Sequence, residues 1–387
     1  MTGGSGSFVI DARYVRSRPS GIGSYVAQLI LRMPALDPAA SFRIWAHPER
    51  PEPAAAPNVR CLTVPRVADG LGTLLWPASF DRLSPDDVLH CTFSLLGRGL
   101  PCASVVTMHD LMWLEQPELV DSRPWLGRVR ASYYRYGMRQ ALAHATRLIA
   151  VSHATADRIV QVAPGSAHRV RVIHNAAGPA FQPPRDLGAA QSQAAALIGS
   201  SAPYYLVVGK NEPYKAHQVA LRAFAAAARP GELLVLVQRV RSGAGLKALA
   251  AELGIAERLR WLPTLSEGEL VSVLQGARAL LQPSLIEGFG IPALEALAAG
   301  CPVIASDTPA LVEVLGGAGL FAKRGDSADM ARAMGRLCDG TQRAELRERG
   351  FERAGAFSWD AAALQTLEVY REAAAAGPLV RTRSAGA

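Results

Sequence analysis

Short apolar or β-branched runs alternate with segments of helical period along this chain, and the alternation is carried through twice. In the first half the runs fall at residues 8–12, 42–47, 59–64, 87–92, 104–110, 147–152 and 170–175, with helical spacing between several of them, as at 25–33 and 128–143. Strands that alternate with helices are joined by crossovers, and crossovers produce a parallel sheet covered on both faces. A stretch rich in Pro, Gly, Ala and Gln at 181–203 interrupts the series and reads as a linker. A second series then runs through 204–209, 233–238, 258–263, 279–284, 302–307 and 319–322. The predicted fold is α/β, with two Rossmann-like, doubly wound domains at 1–180 and 204–360; a chain of 387 residues is long enough to give each its own core. No repeat of roughly 20–50 residues is present, which excludes a solenoid or propeller.

The five cysteines, Cys61, Cys91, Cys102, Cys301 and Cys338, are scattered and form no pairs or clusters at metal-ligand spacing, which fits a reducing compartment. The first seven residues are Gly/Ser-rich, without the basic and apolar regions of a secretory leader. No apolar run reaches the roughly 18–20 residues that span a bilayer. The expected location is the cytoplasm, either soluble or peripheral on the inner face of the plasma membrane. Up to residue 180 there are 19 Lys and Arg against 13 Asp and Glu, so +6 of the net +8 lies in the first half. That bias suits anionic lipid, an acidic glycan or nucleic acid, and charge alone does not choose among them.

Open α/β sheets bind ligands beyond the carboxyl ends of their strands, and with two such domains the expected site is the cleft between them. The densest chemistry follows the 279–284 strand. There Pro283, Ser284, Leu285, Ile286, Glu287, Gly288, Phe289 and Gly290 lead into a helix that holds Glu295. Gly288 and Gly290 let the backbone approach a ligand, and a helix start with its positive dipole end suits a diphosphate. Glu295 is placed to accept hydrogen bonds from vicinal hydroxyls such as those of ribose, and Glu287 to do so for a sugar ring. Taken singly, either glutamate also reads as an ordinary loop or helix acid.

The whole run from Pro283 to Asp307, with its two glutamates separated by seven residues, closely resembles the signature of glycosyltransferase family 4, retaining enzymes of the GT-B type. The resemblance covers nearly the whole chain. It implies two Rossmann-like domains facing a cleft, with a last helix, about 361–387, crossing back onto the first domain. Asp11 and Arg13, followed by Ser20, Gly21, Ile22, Gly23, Ser24 and Tyr25, look like the family's opening strand and glycine loop, although members usually have Arg where Ser24 stands. His109, in Thr107-Met108-His109-Asp110, resembles the cleft histidine that contacts the donor sugar, whereas His90 reads as structural. Lys210 and Lys215 match the turn that places cations on the diphosphate, where members often carry Arg in place of Lys210 or Tyr214. Softer matches are Val151-Ser152, Ile173-His174-Asn175, Phe181, Glu313 and Phe357-Ser358-Trp359; Ala176 stands where Gly is usual. The resemblance thus assigns His109, Glu287 and Lys215 to catalysis. It assigns Gly21, Gly23, Lys210, Lys215, Glu287, Gly288, Phe289, Gly290 and Glu295 to the donor, which is a nucleotide-diphosphate sugar.

No Asp-x-Asp occurs, so neither a metal nor a cofactor is expected, and lysines with helix dipoles take the diphosphate charge. The opening resembles mannosyltransferases of polysaccharide and O-antigen assembly, which points first to GDP-mannose and to a glycan, lipid-linked or small-molecule acceptor. Two rivals are a nucleotide-sugar 2-epimerase of the same architecture and a non-catalytic glycan-binding scaffold. No nucleic-acid partner is expected. The segment 123–147 interleaves Arg123, Arg128, Arg130, Arg135 and Arg139 with Trp125, Tyr133, Tyr134 and Tyr136, residue types that suit an anionic headgroup layer. The alternative there is a solvated Arg-rich helix with tyrosines packed on the sheet.

Overall fold

The computed structural model describes residues 6–17, 20–75, 77–121, 125–237, 244–337 and 340–379. These residues form two compact units, divided at Asn175/Ala176, with the chain returning to the first unit at Ser358.

The first unit holds β1 (Ser7–Ala12), β2 (Ser41–Ala46), β3 (Val59–Thr63), β4 (Asp87–Cys91), β5 (Ala103–Met108), β6 (Arg147–Ala150) and β7 (Val170–Val172) in one sheet, ordered β3-β2-β1-β4-β5-β6-β7. All of its pairs are parallel. β4 and β5 are buried along their whole length, as expected of strands covered on both faces. The Gly21–Leu36 helix packs against the Trp359–Ala376 helix, which also lies on β4, β5 and β6. That last helix buries Trp359, Leu367 and Tyr370 and stops at Gly377, whose φ of 69° ends the turn. It is shorter than expected, and residues 380–387 lie outside those described.

The second unit holds β8 (Tyr204–Val208), β9 (Leu233–Val237), β10 (Leu259–Leu262), β11 (Ala279–Gln282), β12 (Val303–Ser306) and β13 (Gly319–Ala322), again all parallel, in the order β10-β9-β8-β11-β12-β13. Every predicted strand forms. Several stop short of their expected carboxyl ends, so that His109, Asp110, Pro283 and Ser284 lie in the loops beyond.

The expected linker at 181–203 is a correction. Residues Leu187–Ile198 form a helix, capped by the Asp186 side chain on the Ala189 N–H and ended by Gly199 at φ 71°. It buries Ala190, Ala194 and Ile198, one turn apart, against the Glu267–Gly276 helix. Phe181 joins the same core. The alanines that read as linker composition are the residues that lose least entropy in a helix.

Candidate active site

In each sheet the strand order reverses once, between β1 and β4 in the first unit and between β8 and β11 in the second. The carboxyl side of such a reversal is where an open α/β sheet leaves room for a ligand. Lys210 and Lys215 follow β8, and Glu287 with its glycines follows β11, so in the second unit the assigned residues gather at that point. A bond of 2.7 Å from the Leu285 N–H to the Tyr214 carbonyl ties the two loops together.

Lys215 Nζ lies 2.5 Å from Glu287 Oε1, with the two side chains only 14% and 9% exposed. Gln282 Nε2 and Ser284 Oγ donate to the same oxygen at 2.7 and 2.8 Å. A cation assigned to the diphosphate and a carboxylate assigned to the sugar are therefore one buried pair. An ammonium has three donors, so Lys215 can hold Glu287 and still offer N–H groups to an anion. Directly after it, Ala216 has φ 49°, the one positive-φ residue other than glycine among those described. A backbone of that kind costs about 1–3 kcal/mol and is characteristic of functional sites. Lys210 is exposed at the mouth of the turn.

Gly290 caps the Ile291–Ala298 helix at φ 101°, and a Cβ there would stand 2.5 Å from Leu311 Cδ2. Pro292 carries no N–H, and the Ala293 N–H turns back to the Gly290 carbonyl at 3.0 Å. The helix start thus presents fewer donors than the glycine pattern suggests, which leaves more of a diphosphate's charge to the lysines. Gly288 is buried. The Phe289 ring is buried and packs edge-on against Phe357, with centroids 5.8 Å apart. Glu295 keeps some exposed surface. Protein atoms nevertheless crowd its carboxyl enough that lost hydration, seconded by the Glu267 carboxylate, pushes its pKa up to about 8.

In the first unit Asp11 and Arg13 form a buried two-point ion pair, at 2.8 and 2.5 Å, and Arg13 also donates to the carbonyls of Arg66 and Val67 and to Thr73 Oγ1. Those two residues brace the loop after β1. Ser20 Oγ caps the Gly23 N–H. A Cβ on Gly23 would meet the Tyr14 carbonyl oxygen at 2.5 Å, whereas Gly21 has nothing within 4 Å. Gly23 is thus required by the fold, and Gly21 is the one whose open side admits a close approach.

His109 follows β5. Its Nε2 lies 2.8 Å from the Thr92 carbonyl oxygen and must donate there, which makes Nδ1 the acceptor of the neutral ring. Burial lowers the pKa of this histidine to about 4, so the neutral ring prevails at neutral pH and can accept from a hydroxyl but not donate. The ring stands edge-on to Tyr25 at 5.1 Å. Behind it runs a buried chain: Tyr25 Oη is 2.8 Å from Thr107 Oγ1, which is 2.7 Å from His90 Nε2, while His90 Nδ1 is 2.6 Å from Tyr370 Oη. His90 is fully buried, its pKa lowered to about 3 by burial and then by His109, so the structure uses it as an internal tie.

A family profile described as Glycosyl transferases group 1 matches residues 190–353, and one described as Glycosyl transferase 4-like domain matches residues 20–176. A D-inositol 3-phosphate glycosyltransferase of Saccharomonospora viridis is 32% identical over 313 residues, 75% of this chain and 71% of that protein. The chain belongs to the group 1 glycosyltransferases. A D-inositol 3-phosphate glycosyltransferase of Nocardia farcinica is 35% identical over 251 residues, but there the match spans 61% of this chain and 55% of the relative. Among solved structures, sucrose-phosphate synthase from Thermosynechococcus elongatus aligns with TM-score 0.72 at 20% identity, covering 96% of this chain and all of that one. WaaG, a glycosyltransferase involved in lipopolysaccharide biosynthesis, aligns with TM-score 0.71 at 14% identity, covering 94% and 99%. Anabaena HepE in complex with UDP-glucose gives TM-score 0.67 at 17% identity over 94% and 98%. These likenesses establish the two-domain GT-B fold for this group 1 glycosyltransferase.

Two features of the glycosyltransferase escaped the sequence. Gln282 and Ser284 grip Glu287, and Glu267 from a neighbouring helix perturbs Glu295; Ser284 stood inside the signature without a role, and Glu267 showed no signal. The basic segment fits neither of its two readings in full. Arg123 lies outside the described residues. In the Leu126–His144 helix the Tyr133 hydroxyl donates to the Gly70 carbonyl at 2.9 Å, and the Tyr134 hydroxyl to Asp69 at 3.1 Å with its ring stacked on Trp113. Tyr136 lies under Arg98. The tyrosines therefore pack inward, and what remains outward is apolar: Trp125 at 83%, Leu126 at 60% and Val129 at 62% exposure, beside exposed Arg128 and Arg139. Among the described residues, no helix is long and apolar enough to cross a membrane.

Proposed function

We propose that the chain transfers a hexose from a nucleoside diphosphate sugar to an acceptor hydroxyl, with retention at the anomeric carbon and without a bound metal. The observation that carries this reading is the buried Lys215–Glu287 pair, at the strand reversal where the family places its donor. In the reaction the bond from the anomeric carbon to the β-phosphate oxygen breaks. The acceptor oxygen bonds to that carbon on the same face, and its proton passes to the departing phosphate. Charge grows on the leaving diphosphate, and Lys215, with Lys210 nearby in the turn, offsets it. Glu287 accepts from sugar hydroxyls and Glu295 from ribose, and the family resemblance gives His109 a part in donor binding. The opening at Asp11–Tyr25 favours GDP-mannose. HepE, the structural neighbour solved with UDP-glucose, adds that nucleotide sugar to the trial, and the relatives' name adds a phosphorylated inositol to the acceptors.

Incubation with GDP-mannose, UDP-glucose or UDP-N-acetylglucosamine and an acceptor series, read by mass spectrometry and NMR, tests the reading. Acceptor-dependent release of nucleoside diphosphate, with the donor's anomeric configuration kept in the product, is expected. An inverted product contradicts retention, and a donor altered without any acceptor favours the epimerase. Activity is also expected to persist in excess EDTA; loss restored only by Mg²⁺ or Mn²⁺ contradicts the assignment of diphosphate charge to lysines.

The exposed Trp125, Leu126 and Val129, flanked by arginines, suit the boundary of an anionic bilayer, where each Arg near the surface contributes about 1 kcal/mol. Wild-type protein is expected to float with anionic vesicles at low salt and to lose flotation when Trp125, Leu126 and Val129 become Ser. Failure of the wild type to float, or flotation unchanged in that variant, removes this surface from the account.

A further inference from the structure

We propose that Gln282 and Ser284 are positioning residues that fix which oxygen of Glu287 meets the donor sugar. This rests on the glycosyltransferase reading above and adds two residues to it. Both stand where β11 ends. Gln282 is the polar close of an otherwise apolar strand at 2% exposure, and Ser284 is fully buried two residues on. A buried amide and a buried hydroxyl require partners, and these two converge. Gln282 Nε2 lies 3.2 Å from Ser284 Oγ and donates to Glu287 Oε1 at 2.7 Å, while Ser284 Oγ donates to that same oxygen at 2.8 Å. Lys215 makes a third donor to it at 2.5 Å. The backbone beneath is held as well, since Ser306 Oγ, at the end of β12, donates to the Ser284 carbonyl.

A carboxylate has about four acceptor sites over its two oxygens. Three donors on Oε1 fill that oxygen and leave Oε2 to accept from outside. A carboxylate on a flexible stem would turn to meet a hydroxyl at many positions. One clamped through Oε1 offers Oε2 in a single direction, and so distinguishes hexoses by where their hydroxyls stand. Gln282 and Ser284 never meet the sugar in this scheme; they act through Glu287. Their loss should therefore affect the sugar's share of binding and spare the nucleotide's.

The test is isothermal titration of UDP against UDP-glucose, and of GDP against GDP-mannose, into the wild type, Gln282→Leu, Ser284→Ala, Ser284→Thr, Glu287→Ala and the double variant Gln282→Leu/Glu287→Ala. For the pair the wild type binds, Gln282→Leu and Ser284→Ala are expected to reduce the affinity added by the sugar by roughly 5–10-fold, the scale of one hydrogen bond to a charged group. Affinity for the free nucleoside diphosphate should stay within twofold, Ser284→Thr should keep the wild-type ratio, and Gln282→Leu should change nothing further once Glu287 is Ala. A ratio unchanged in both single variants, or an equal loss with and without Glu287, overturns the proposal. If Gln282→Leu lacks a cooperative melting transition, Ser284→Ala against Ser284→Thr decides alone. A wild type that binds neither UDP nor GDP overturns the donor reading itself, and this inference with it.

Discussion

Replacing Lys215 with alanine is expected to lower kcat by about 10²–10³-fold, the scale of removing one preorganised electrostatic group from a reaction that develops charge. The structure adds a second consequence that the sequence did not contain. Lys215 is the cationic partner of a carboxylate at 9% exposure, and Glu287 would stay behind without it. Removing one member of a buried pair costs about 3–5 kcal/mol, which for a domain of this size is a drop in Tm of roughly 10 °C. The two effects separate. Lys215→Met combined with Glu287→Gln should regain most of the lost stability, because no unpaired charge remains, while activity stays low. Steady-state kinetics and calorimetry on the single and double variants check this. A Lys215→Ala enzyme with kcat within threefold of wild type would remove Lys215 from the chemistry.

The second large effect belongs to Glu295. Replacement by Ala is expected to weaken nucleoside diphosphate binding by about 1–3 kcal/mol, or roughly 5–150-fold, since the ribose loses a charged acceptor. Its titration gives the same assignment a pH signature. The folded-state pKa is pushed up to about 8 by burial and by Glu267, from an ordinary value near 4.5. Between those values the folded protein holds a proton that the unfolded chain has lost, so this group's contribution to stability falls as pH rises from about 4.5 to 8 and is level beyond. Ribose hydroxyls prefer the carboxylate, so binding below pH 8 expels the proton, and nucleotide affinity should rise by up to about tenfold per pH unit towards 8. Glu295→Gln should flatten that rise. A wild-type affinity that does not change between pH 6 and 8, after correction for the nucleotide's own ionisation, contradicts the role.

Both sheets were legible because parallel strands covered on two faces must be continuous apolar runs, and β9, all Leu and Val, shows how plain that signal is. The helix at Leu187–Ile198 was hidden by its own composition: its core contacts are Ala190 and Ala194, which do not register as an apolar stripe. Its ends are set by the Asp186 side-chain cap and by Gly199 in the left-handed region. At the site the residue types and their order after β8 and β11 could be read directly. Their partners could not, because the bonds that define them join residues far apart in sequence: Lys215 to Glu287, His109 to Thr92, Tyr134 to Asp69. Tyr133 and Tyr134 look interfacial in a linear reading because nothing local shows that the segment around Gly70 takes their hydroxyls. Phe289 is similar, a residue whose signature neighbours suggest a ligand while its ring packs on Phe357.

The most direct measurement is a crystal structure with bound UDP or GDP. The diphosphate is expected within hydrogen-bonding distance of Lys215 Nζ, the ribose hydroxyls on the Glu295 carboxyl, and the Glu287 Oε1 clamp by Gln282 and Ser284 intact. A nucleotide bound at the β1/β4 reversal of the first unit, or one whose ribose lies away from Glu295, would contradict that placement.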